Sequence, residues 1–302
     1  MRRVIVALLL VLAAGGGAFW FLTMPKPLVA SDLPDHTPDL ANGELVFNAG
    51  GCAACHASRE PGAERTLLSG GLALATPLGP ITVPNISPDP TNGIGGWSAL
   101  DLANAMTEGI APDGSYFTPA FPWPSYRGMR LEDVIDLKAF LDTLPASDAS
   151  HDAAGLPFPF SFRRPIGLWK RFAMEAPPPV PAGADDAVAR GHYLVTTMGH
   201  CGACHTPRTI TFAEDMSRWL AGAPAVDGDG SVPNITPSAD GLGEWAPADI
   251  AYLLETGFTP DFDSVGGEMG EVVSNWAHVP AADREAVAAY LKAIPPLPSD
   301  RP

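Results

Sequence analysis

All four cysteines of this 302-residue chain fall into two short motifs, Cys52-Ala53-Ala54-Cys55-His56 and Cys201-Gly202-Ala203-Cys204-His205. On a helix, residues i and i+3 share a face with i+4 beside them, so each motif gathers two thiols and an imidazole on one side of the backbone. This is the attachment pattern of c-type haem, in which the thiols form thioethers to the porphyrin edge and the imidazole takes one axial position of the iron. No cysteine remains for a structural disulfide. A zinc site built from the four thiolates is the competing use, and it leaves both trailing histidines without a role.

The motifs stand 149 residues apart, and other landmarks recur at nearly the same offset. Pro84-Asn85-Ile86-Ser87-Pro88 returns as Pro233-Asn234-Ile235-Thr236-Pro237, Trp97 with Asp101 as Trp245 with Asp249, and Ala139-Phe140-Leu141 as Ala289-Tyr290-Leu291. The chain reads as a tandem duplication. Each unit predicts a helix leading into its motif (39–49 and 185–198), a Gly/Pro-rich excursion (61–96 and 207–243) and a short helix (98–108 and 247–255). Another loop and a terminal helix (131–143 and 281–293) follow. Residues 146–184, with Leu156-Pro157-Phe158-Pro159-Phe160 and Pro177-Pro178-Pro179, read as a semi-rigid linker whose Phe162, Trp169 and Phe172 fill the seam between domains. The expected division is 1–30 anchor or signal, 31–145 first domain, 146–184 linker and 185–302 second domain.

After Arg2 and Arg3 the run Val4 to Met24 is uncharged and 21 residues long, enough to cross a bilayer. The arginines place the N-terminus in the cytoplasm, with Phe19-Trp20-Phe21 at the far interface, which puts the body of the protein in the periplasm at a bacterial inner membrane. A cleaved secretory signal is the alternative. Beyond residue 31 the chain carries 15 basic against 34 acidic side chains. That balance argues against nucleic-acid binding and for a basic partner.

With these residues in place, the chain resembles the di-haem cytochromes c that serve as electron-transfer subunits of membrane-bound bacterial dehydrogenases of the alcohol type. The resemblance rests on the haem motifs, the two Asn-Ile-Ser/Thr-Pro loops, Gly96-Trp97 and Pro119-Ala120-Phe121-Pro122. It implies a mainly α fold of two tandem class-I-like cytochrome c domains after an N-terminal transmembrane helix. It also implies two covalent haem c groups bound through Cys52, Cys55, Cys201 and Cys204, with His56 and His205 as iron ligands. The implied function is an electron carrier, not an enzyme, between a dehydrogenase and a respiratory acceptor such as a basic cytochrome, an oxidase or a quinone-linked complex. A terminal-oxidase subunit and a catalytic di-haem enzyme of peroxidase or sulfur-oxidising type are the rival readings.

For the sixth ligand methionine is expected. Met269 lies 64 residues after His205; the corresponding place in the first unit falls near Phe121, which cannot ligate iron, so Met129 is the expected donor there and an open iron the alternative. Met106 reads as core. The remaining histidines, His36, His151, His192, His200 and His278, are expected to be surface or hydrogen-bonded side chains.

Overall fold

The computed structural model describes residues 1–76, 79–151, 156–225 and 230–299. None of the side chains of helix α1 (Arg2–Leu22) is buried. Its glycines Gly15, Gly16 and Gly17 have no neighbour within 4 Å of an added Cβ.

The first unit begins with α2 (Leu40–Ala49), whose start is fixed by Asp39: its carboxylate accepts from the backbone N–H groups of Ala41 and Asn42. After Gly51, in the left-handed region at φ 62°, the first motif forms α3 (Cys52–His56). The excursion that follows contains the short hairpin β1 (Ala73–Leu74) and β2 (Ile81–Thr82), paired Ala73 to Thr82. Helix α4 (Ala99–Ala103) starts from a capping box between Ser98 and Asp101 and widens into a π-helical turn over Asn104–Glu108. Helices α5 (Trp123–Tyr126) and α6 (Leu131–Leu141) complete the unit.

The linker carries α7 (Ile166–Phe172). The second unit then repeats the order, and its expected elements fall where the offset places them. Asp185 caps α8 (Asp186–Tyr193), which ends in a π-helical turn over Leu194–Met198, and α9 (Gly202–His205) holds the second motif. Hairpin β3 (Ala223–Pro224) and β4 (Ser231–Val232), then α10 (Pro247–Thr256) and α12 (Ala281–Ala293), are the counterparts of the first hairpin, α4 and α6.

Two expectations are corrected. The stretch before the last helix is not a loop but a full helix, α11 (Gly267–Trp276), with Glu268 in its first turn. The linker aromatics do not all fill a seam. Trp169 packs edge-on against Trp123, but Phe162 and Phe172 remain 51% and 71% exposed.

Buried side chains of both units form one continuous cluster, including Val46, Phe47, Val134 and Leu137 from the first and Leu194, Val195, Tyr290 and Leu291 from the second. In each unit the terminal helix crosses the helix leading into the motif at a glycine. A Cβ on Gly43 would lie 2.3 Å from the Asp136 carbonyl oxygen, and one on Gly191 would lie 1.9 Å from that of Ala286. Backbone cannot yield as a flexible side chain can, so Gly191→Ala forces the helices apart. It should cost about 1–3 kcal/mol, read by denaturant unfolding of the haem-loaded protein. Gly270→Ala, on α11 with open space around it, should be neutral or stabilising.

Candidate functional site

Both motifs are helical turns, so in each the two cysteines and the histidine project from the same side. The four thiols are unpaired. Burial first, and the neighbouring thiol of the same motif second, push the thiols of Cys52 and Cys201 up to about 12, which keeps them uncharged.

The histidines are oriented by the Asn-Ile-Ser/Thr-Pro loops. His56 Nδ1 lies 2.8 Å from the Pro84 carbonyl oxygen, and His205 Nδ1 lies 2.7 Å from that of Pro233. A carbonyl can only accept, so Nδ1 carries the proton in both rings and Nε2 presents its lone pair. Burial lowers the proton affinity of both imidazoles, to about 4 at His56. They are therefore neutral at physiological pH, the state in which imidazole binds a metal.

Each proline carbonyl is held in turn by its neighbouring asparagine. Asn85 Oδ1 accepts from the Ser87 backbone at 2.8 Å, while its Nδ2 donates to the carbonyls of Ser147 and Ala149 at 2.8 and 3.0 Å. Asn234 does the same with the Thr236 backbone (2.8 Å) and the Leu297 carbonyl (2.7 Å). The loop is thus tied to the segment that follows the terminal helix. A second repeated device went unread in the sequence: Arg59 and Arg208, again 149 apart, donate to the carbonyls of Ala54 and Ala203 within the motif helices.

The two motifs meet at the seam between the units. Tyr126, on α5, donates from its hydroxyl to the Gly50 carbonyl at 3.2 Å, and its ring meets that of His200 edge-on at 5.7 Å. His200 stands directly before Cys201, where the first unit has Gly51 before Cys52, and it adopts the same left-handed backbone at φ 36°. Arg65 clamps the seam by donating to Asn48 at 2.9 Å and to Asn275, on α11, at 2.8 Å. The Glu268 carboxylate acts on both Cys55 and Cys204.

The remaining histidines are hydrogen-bonded, as expected, where partners are seen: His36 to Asp136, His151 to the Ser69 carbonyl, and His192 to the Pro178 carbonyl. Met106 is buried in the core. Met269 is half-buried in the first turn of α11, packed against the common cluster. Met129 is 6% exposed. Its backbone N–H bonds the Tyr126 carbonyl just before α6, as that of Val279 bonds Trp276 just before α12. By place in the fold Met129 therefore answers to Val279, not to Met269.

Two thiols and an unengaged imidazole Nε2 on one helical face suit a covalently attached haem, and the chain offers this set twice. Bound there, haem iron supplies one-electron chemistry between its ferrous and ferric states.

Comparison with known proteins agrees. The cytochrome c family profile matches residues 40–145. A diheme cytochrome c-type protein of Cereibacter sphaeroides is 47% identical over 299 residues, which are 98% of this chain and the whole of that protein. The cytochrome subunit of fructose dehydrogenase from Gluconobacter japonicus is 36% identical over 90% of this chain, and the cytochrome c subunit of gluconate 2-dehydrogenase from Pantoea cypripedii is 37% identical over 83%. This chain spans 55% and 58% of the length of those two subunits.

Removing the loop anchor tests the role given to the asparagines. Asn234→Ala removes the acceptor of the Thr236 backbone N–H and leaves the Leu297 carbonyl with only the Thr236 hydroxyl as donor, and should cost about 1–3 kcal/mol in thermal or denaturant unfolding. The slackened Pro233 carbonyl weakens the bond from His205 Nδ1–H. If His205 holds the second iron, its imidazole would become a poorer donor to the ferric state, and the potential of the second haem should rise in a redox titration while that of the first stays in place.

Proposed function

This chain belongs to the di-haem cytochromes c, and from that premise we propose that it carries electrons from a membrane-bound dehydrogenase to a respiratory acceptor on the periplasmic side of the bacterial inner membrane. It has two covalently bound haem c groups and transfers electrons. The observation that carries the rest is the seam: Tyr126 of the first unit donates to the Gly50 carbonyl, just before the first attachment turn, and its ring meets that of His200, directly before the second, which supports passage of an electron from one haem to the other without a mobile intermediate. The relatives that are cytochrome subunits of fructose, gluconate and alcohol dehydrogenases support a dehydrogenase as donor.

Helix α1, 21 residues long with a mean hydropathy of 2.4 and no buried side chain, supports a single membrane span. Arg2 and Arg3 at its start favour a cytoplasmic N-terminus by the positive-inside rule. The acidic excess of the remaining chain favours encounter with a basic acceptor, steered by long-range attraction that salt screens.

We assign His56 and His205 as the proximal ligands and Met269 as the sulfur donor to the second iron. For the first iron Met129 is the sulfur we assign, in competition with an iron whose sixth position takes no side chain. Spectra decide both assignments. Met269→Ala should abolish the methionine-to-iron charge-transfer band of the second haem and lower its potential, because the soft thioether favours ferrous iron. Met129→Ala should do the same at the first haem, and unchanged spectra would assign that iron as open.

The role itself is tested in the membrane. Deleting the protein should stop a membrane dehydrogenase from delivering electrons to the respiratory chain while its activity with an artificial dye persists. Second-order electron transfer from the purified cytochrome to its acceptor should slow as ionic strength rises. Peroxide or sulfur-compound turnover by the cytochrome alone, lost on altering the first haem site, would instead make it an enzyme.

A further inference from the structure

Residues 156–174, Leu-Pro-Phe-Pro-Phe-Ser-Phe-Arg-Arg-Pro-Ile-Gly-Leu-Trp-Lys-Arg-Phe-Ala-Met, contain four basic and no acidic side chains, in a chain that otherwise has 11 basic against 34 acidic residues past position 31. The segment is bound to the outer end of α1. Gly167 packs so closely on Thr23 that a Cβ would lie 2.8 Å from its carbonyl oxygen. Arg164 donates to the Thr23 hydroxyl and the Trp20 carbonyl, both at 3.0 Å, with its guanidinium 3.9 Å from the centre of the Trp20 ring. Phe162 meets Phe19 at 6.3 Å, so the segment reaches the depth of the last turn of the apolar helix.

Despite these contacts the segment leaves its rings outside. Phe158 is 85% exposed, Phe172 71%, and Phe162 and Phe160 about half, beside Trp20 at 57% and Phe21 at 71% on α1 itself. Aromatic rings flanked by bases and continuous with a span are what the headgroup layer of a bilayer takes up: the rings lie among the upper acyl chains and the cations remain at the phosphates. Arg163 is held by the Tyr116 carbonyl and Lys170 by Glu108. Arg171 and, just past the span, Lys26 are the exposed bases that face outward.

We propose that residues 156–174 form a second membrane contact, seated in the headgroup layer beside the span, with Phe158, Phe160, Phe162 and Phe172 among the lipids and Lys26 and Arg171 on acidic phospholipid headgroups. This inference rests on the reading of α1 as a membrane span. The charge of the segment selects lipid: it is positive where the body of the chain is negative, and acidic headgroups attract basic side chains at the surface.

The test uses the full-length, haem-loaded protein in phosphatidylcholine/phosphatidylglycerol vesicles containing a trace of diazirine-bearing phosphatidylcholine. At one protein per vesicle no second copy can cover the segment. After photolysis, peptide mass spectrometry should find lipid adducts in α1 and in residues 156–174. The triple variant Phe158→Ser, Phe160→Ser, Phe172→Ser should lose at least fivefold of the linker adducts and keep those in α1. Pure phosphatidylcholine, or Lys26→Gln with Arg171→Gln, should reduce the linker adducts at least twofold. Adducts in α1 with none in the linker overturn the proposal and leave the span intact; a face that needs another protein to cover it would give that result. Linker adducts indifferent to phosphatidylglycerol overturn the role of acidic lipid. Absence of adducts from α1 removes the span reading, and the proposal with it.

Discussion

Everything at the two sites depends on one hydrogen bond made twice, from a buried imidazole Nδ1 to a proline carbonyl. It fixes which nitrogen is protonated, leaves the other with its lone pair free for a metal and sets the ring plane. A proline suits this task because its backbone has no donor to compete for the arrangement, and its φ is already restricted. The carbonyl is positioned by an asparagine whose two ends hold the loop's own backbone and the chain beyond the terminal helix. The chain of support runs from the packing of α6 on α2, and of α12 on α8, through the tail that follows each terminal helix, to the histidine ring. The site is as rigid as the helix crossing beneath it.

The seam joins these two supported sites into one unit. A continuous apolar cluster gives the contact its strength, while polar links set its register: Tyr193 donates to the buried Asp133, and Arg65 spans Asn48 and Asn275. Burial of such groups is tolerated only because each is satisfied. The duplication is near-symmetric, with α5 of the first unit facing the turn before the second motif, and α11 of the second facing α2 and α3 of the first. It is not fully symmetric. Gly51 and His200 share a left-handed backbone, but only His200 brings a side chain into the seam, accepting a conformation unfavourable for a residue with a Cβ.

What could be read from the sequence was what is local or repeated. Asp39, Ser98 and Asp185 announce helix starts because capping involves residues two or three apart, and the 149-residue offset carries each element of one unit onto the other. The recurrence of Pro-Asn-Ile marked those loops as special, but their purpose was hidden, since the partner of Pro84 is a histidine 28 residues away. Nothing in the sequence sets Gly43 and Gly191 apart, and only the crossing helices show why no side chain fits there. Helix α11 was missed because its Gly-rich start, Gly266-Gly267-Glu268-Met269-Gly270, suggests a loop, and its stability comes from packing on both units. Spacing from the histidine points to Phe121, which cannot ligate iron, and Met129 is only the next sulfur before the terminal helix; spacing does not see that α5 is shorter than α11, which puts Met129 in the place of Val279.

The closeness of the seam also ties the two sites to one another. The turn Cys52–His56 lies against α11 of the second unit, and Cys201 lies beside Gly199, over which Trp276 packs. A haem held at either motif would border on side chains of the common cluster, so a change in packing at the seam would be felt at both cofactors at once.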